Sequence, residues 1–96
     1  MGPLSSTNVT GTGDVTTGPT RLYGLIVSVS SAAAGNVVTL RDASGTGTLL
    51  LTVNPGDAAA GPVVVNMPAE SYIRFDTSMH LTVAGNVDSV TFLYQT

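Results

Sequence analysis

The last quarter of the chain, residues 71–95, restricts the fold more than any other stretch. Ile73 and Phe75 alternate with Tyr72, Arg74 and Asp76, and Leu81 and Val83 alternate with His80 and Thr82. Val90, Phe92 and Tyr94 then alternate with Thr91, Leu93 and Gln95. A repeat of two gives a β-strand one buried face and one wetter face. Gly85 and Asn86 supply the permissive backbone that a tight connection needs. Three successive strands with short turns predict an antiparallel meander.

The same pattern extends back to residue 20. In residues 20–29, Tyr23, Leu25, Val27 and Val29 share one face, and Leu22, Gly24, Ile26 and Ser28 share the other. Apolar residues on both faces near the start predict a strand covered on both sides. Strands follow at 36–41, with Val38 and Leu40 inward, and at 48–53, with Leu49, Leu51 and Val53 on one face. Pro62 opens a further strand at 63–67 and Pro68 closes it, since proline is tolerated at a strand's first residue. Residues 31–35 read as a loop too short for a stable helix. Residues 42–47 read as a turn rich in Gly, Ser and Asp. Asn54, Pro55, Gly56 and Asp57 form a strong turn signal, and the loop runs on to Gly61. Strands spaced about every 8–12 residues, with no helical period, predict an antiparallel β-sandwich or barrel of seven or eight short strands.

Residues 1–19 read as a flexible arm and residues 20–96 as the domain. Gly2, Gly11, Gly13 and Gly18 are interleaved with Ser and Thr, so the stretch buries little apolar surface and is costly to order. Val9 and Val15 give it some β character. Two expectations follow: the arm orders by adding main-chain bonds to a partner, or it is an edge strand of its own domain. Asn8, Val9 and Thr10 fit the glycosylation acceptor pattern, read here as a chance match because Met1, Gly2 and Pro3 do not begin a secretion signal.

Charge is the most unusual part of the composition. Only 9% of the residues are charged, against about 25% in ordinary domains. There is no Lys, three Arg face six acidic residues, and the net charge is −3. The exposed surface must therefore be mostly Thr, Ser, Asn and Gly, which suits a surface covered by other protein or a neutral extracellular one. Three Arg and a pI near 4.5 disfavour nucleic acid as a partner. No apolar run approaches a membrane span of about 20 residues. The absence of Cys excludes a disulfide framework.

No constellation of catalytic residues stands out. His80 is the only His, and nothing in the spacing selects a carboxylate or nucleophile for it. One His and no Cys leave only an atypical, carboxylate-dominated zinc site. Residues 42–53 superficially resemble a calcium loop, but Val53 stands where the bidentate Glu belongs. Gly45, Thr46 and Gly47 are followed by no Lys and make no phosphate loop. An enzyme is therefore the least expected reading, and no cofactor or metal is expected.

Leu22, Ile26, Val37, Leu50, Val64, Tyr72 and Leu93 fall on nominally outer faces. Several together would make an association surface. The candidate contact residues are Leu22, Ile26, Leu50, Val64, Tyr72 and Leu93, with Val9 and Val15 from the arm. Self-association is expected, a trimer foremost, because apolar strands without Lys gatekeepers leave adhesive edges.

Four stretches carry a resemblance. They are residues 21–27 (Arg-Leu-Tyr-Gly-Leu-Ile-Val), Asp42 with its Gly-rich turn leading into 48–51, Pro68 before residues 72–75, and residues 89–94 (Ser-Val-Thr-Phe-Leu-Tyr). Their order, over roughly residues 18–96, resembles small capsid decoration or cement proteins of tailed, chiefly aquatic, bacteriophages. The resemblance implies a β-sandwich or jelly roll, self-associated, on the outer face of a major capsid protein lattice. It places the chain in the virion after synthesis in the host cytoplasm. A carbohydrate-binding or adhesin module of a phage tail or cell surface is the alternative, with Tyr23 or Tyr72 available to stack on a sugar.

Overall fold

Runs of Val, Leu, Thr and aromatic residues become strands, and the Gly-, Asn- and Ser-rich stretches connect them. The computed structural model describes residues 4–30, 35–55, 61–68 and 71–96. Its strands are β1 (Ser5–Val9), β2 (Gly13–Asp14), β3 (Thr20–Val29), β4 (Val37–Asp42), β5 (Leu49–Val53), β6 (Gly61–Asn66), β7 (Ile73–Phe75), β8 (Met79–Ala84) and β9 (Val87–Gln95). Two antiparallel sheets result. The first has the order β1-β9-β3-β6, with β7 paired to β3 beyond the end of β6, and the second has the order β2-β8-β4-β5. Most of the expected 31–35 loop, and residues 56–60 of the expected second loop, lie outside the described residues.

The core lies between the sheets. Leu22, Leu25, Val27, Val29, Phe75, Val90 and Phe92 enter it from the first sheet; Val38, Leu40, Val53, Met79 and Leu81 enter from the second. Phe75, Phe92, Val38, Leu40 and Leu81 were all expected inward, and each is fully buried. The chain is an all-β domain of two antiparallel sheets, consistent with a β-sandwich.

The expected meander is not formed. β7 pairs with β3, β8 pairs with β2 and β4, and β9 pairs with β1 and β3, so none of the three is hydrogen-bonded to another. Gly85 and Asn86 carry the chain from one sheet to the other instead of closing a hairpin. Gly85 has φ 75°, and the buried Asn36 side chain accepts a hydrogen bond from Asn86 N at 2.6 Å. Alternation and a turn signal are the same for a hairpin and for an arch between sheets; only distant partners distinguish them.

Two irregularities correct the expected faces. Between β3 and β9 the register steps from Leu22 opposite Tyr94 to Gly24 opposite Leu93, which leaves Tyr23 as the extra residue of a bulge. An extra residue inverts the alternation. Leu22 therefore joins Leu25 in the core, and Tyr23, expected inward, lies on the outer side. The apolar start of this strand reflects a bulge and not cover on both faces. A second irregularity places Leu51 opposite Leu40 but Leu49 opposite Arg41. Leu50, expected outward, packs against the core, while Leu49 is 48% exposed.

Residues 5–9, within the expected arm, pair with β9 from Ser5 opposite Tyr94 to Val9 opposite Val90. Gly13 and Asp14 pair with Leu81 and His80 on β8. Val15 N donates to Met79 O at 2.8 Å, and Met79 N donates to Thr16 Oγ1 at 3.0 Å. The structure follows the edge-strand expectation. Main-chain pairing demands few apolar side chains, so a Gly- and Thr-rich composition does not prevent it.

Candidate functional site

The outer face of the first sheet is the first candidate surface. Ile26 on β3 stands opposite Val64 on β6 and Thr91 on β9, and Asn8 on β1 stands opposite Thr91. Asn8 Nδ2 donates to Thr91 Oγ1 at 2.8 Å. In the next row Leu93 lies between Gly24 and Ser6. These residues alternate with buried Leu25, Val27, Val90 and Phe92, so their side chains project away from the core. Ile26 is 37% exposed, Val64 55% and Tyr72 41%.

The face changes character toward the start of β3. The Tyr23 and Tyr72 rings lie 5.7 Å apart, tilted by 54°. The Arg21 guanidinium sits over the Tyr72 ring at 5.3 Å, within cation–π range. Arg21 is directly opposite Arg74 on β7 and Gln95 on β9. A cavity of about 140 Å³ opens here, lined by Pro19, Thr20, Arg21, Arg74, Gln95 and Thr96. An apolar stripe thus runs into an aromatic pair and ends at two cations.

Of the expected contact residues, Ile26, Val64, Tyr72 and Leu93 share this face. Leu22 is in the core, and Val9, Val15 and Leu50 pack against it. Arg21 was not among the expected contact residues, and Tyr23 was named only as a ring that could stack on a sugar. Taking the strand's phase from Thr20 and Leu22 would have put both outward.

The outer face of the second sheet is polar along its middle, with Leu49 exposed on its edge strand. Thr39 stands opposite Thr82 on one side and Thr52 on the other. His80 has a carboxylate partner after all, since its Nδ1 lies 2.8 Å from Asp14 Oδ1. The pairing of β2 with β8 brings the two together across 66 positions of sequence. The carboxylate orients the imidazole and turns its Nε2 toward the 43–47 turn, where a Cβ on Gly45 would lie 3.4 Å from it. Asp42 works as a turn residue: its Oδ1 accepts hydrogen bonds from Thr77 N and Ser78 N. Among the described residues, no group of three or more His, Asp or Glu is arranged to hold a metal ion.

No known protein family, curated protein or solved structure matches this chain.

Proposed function

We propose that this chain is a structural virion protein, a decoration or cement protein that binds the outer face of a major capsid protein lattice and associates with its own copies. The observation that carries this reading is the outer face of the first sheet. It gathers Ile26, Val64, Leu93, Tyr23 and Tyr72 on a chain that has no Lys to guard it. Exposed apolar and aromatic groups with Arg at the margin have the composition of a protein contact surface. The finer fold we propose is a jelly roll. Its support is the strand order, in which each sheet interleaves early and late strands: β1 beside β9, and β2 beside β8. Jelly rolls recur in capsid and lectin domains. The resemblance of residues 18–96 to capsid decoration proteins points the same way.

The test is saturation binding of labelled protein to purified capsids of the virus whose genome encodes it. Saturation at a fixed ratio to the major capsid protein, with capsids that resist heat better, is expected. Binding that never saturates would remove the reading.

A second reading is a carbohydrate-binding or adhesin module. The Tyr23–Tyr72 pair beside Arg21 favours it, because exposed aromatic rings offer a stacking surface for a sugar. A glycan array with binding confined to one sugar class would support it.

A further inference from the structure

We infer that the end of the first sheet where Arg21 and Arg74 meet binds the carboxylate of a sugar acid. The inference rests on the carbohydrate reading and is independent of capsid binding. The chain has three Arg and no Lys, yet two of those Arg stand directly opposite each other across the β3–β7 pair. Like charges in that register destabilise a sheet, and an anion between them removes the penalty.

The fold satisfies neither guanidinium well. Arg21 Nη1 donates to Gln95 Oε1 at 3.4 Å, beyond the usual range for such a bond. Arg74 meets Asp76 through Nε at 2.9 Å, but the two side chains are 64% and 76% exposed, and ion pairs in water contribute little. Among the described residues, nothing further engages their remaining N–H donors. Arg21 is held against the Tyr72 ring, which preorganises its planar fork. A guanidinium fork matches a carboxylate through two parallel hydrogen bonds.

The surroundings favour a sugar acid over an acidic protein side chain. The arginines border a concave cavity of about 140 Å³, room for a carboxylate and the atoms next to it. Tyr72 is 41% exposed, and its ring, with Arg21 over it, adds aromatic surface next to that cavity for the C–H side of a pyranose. A carboxylate on a flat protein surface would need neither the concavity nor the ring.

The experiment is an NMR titration of the full chain with glucuronate, glucose and inorganic phosphate at low ionic strength. Saturable shifts with glucuronate are expected at the amides of Thr20, Arg21, Arg74 and Gln95. The dissociation constant should be on the order of 1 mM, the range of a few charged hydrogen bonds. Arg21→Gln and Arg74→Gln should each weaken binding about tenfold or more without lowering the melting temperature, since removing a charge-assisted pair is worth at least that factor. Glucose should give no shift at these amides. Equal shifts with phosphate would overturn the carboxylate assignment. Glucose binding at Tyr72 with both arginine variants unaffected would overturn the site but keep the carbohydrate reading. No shift with either sugar would overturn both.

Discussion

Single residues decide where this chain can and cannot change. Phe75 and Phe92 are fully buried in the shared core. Replacing either with Ala should remove about 3–5 kcal/mol of stability, measured by urea unfolding, because the cavity left behind adds to the lost burial. Two turn positions should respond in opposite directions. Gly85 has φ 75°, and a Cβ there would collide with Asn36 Oδ1. Gly85→Ala should therefore destabilise by about 1–3 kcal/mol or more. Ala43, in contrast, already occupies the left-handed region at φ 74°. Ala43→Gly should stabilise by about 0.5–1 kcal/mol, the relief of that conformation less the added freedom of the unfolded chain. A lower unfolding midpoint for Ala43→Gly would show that this turn carries no strain.

At the level of elements, the N-terminal stretch is part of the fold. β1 covers one edge of β9, β2 covers an edge of β8, and Val9 and Val15 pack against the core. Deleting residues 2–18 should lower the melting temperature by roughly 10 °C or more, since each kcal/mol shifts a domain of this size by about 4–8 °C. An unchanged melting temperature would mean that the strand pairings add nothing to stability. Elements were the most legible part of the sequence, because alternation depends only on near neighbours: the strands around Val38, Phe75, Leu81 and Phe92 were read with their inner faces correct. Partners were not legible. β7, β8 and β9 carry the pattern of a meander and yet divide between two sheets. The bulge at Tyr23 leaves no local mark either, and it alone moves Leu22 from the expected surface into the core. The same limit hid the Asp14–His80 pair, whose members meet only when β2 docks on β8.

For the whole molecule, two sheets enclose one core, and their outer faces differ. The second sheet presents a row of Thr39, Thr52 and Thr82 with a single exposed Leu49 on its edge strand, while the first presents Ile26, Val64, Leu93 and the tyrosine pair. Half of the candidate surface could be read from outward apolar residues; the Arg21 and Tyr23 end depended on the bulge. This asymmetry underlies the proposal that the first sheet's outer face makes the contact with a capsid. Val64 is 55% exposed, so Val64→Asp leaves the core intact and should change stability by no more than about 0.5 kcal/mol. The most direct test is co-sedimentation of wild type and Val64→Asp with purified capsids, with both proteins first shown to melt alike. We expect wild type to pellet with the capsids to saturation and the variant to bind at least about tenfold more weakly, as for a charge placed among the apolar contacts of an interface. Equal binding by the two proteins would contradict the assignment of this face.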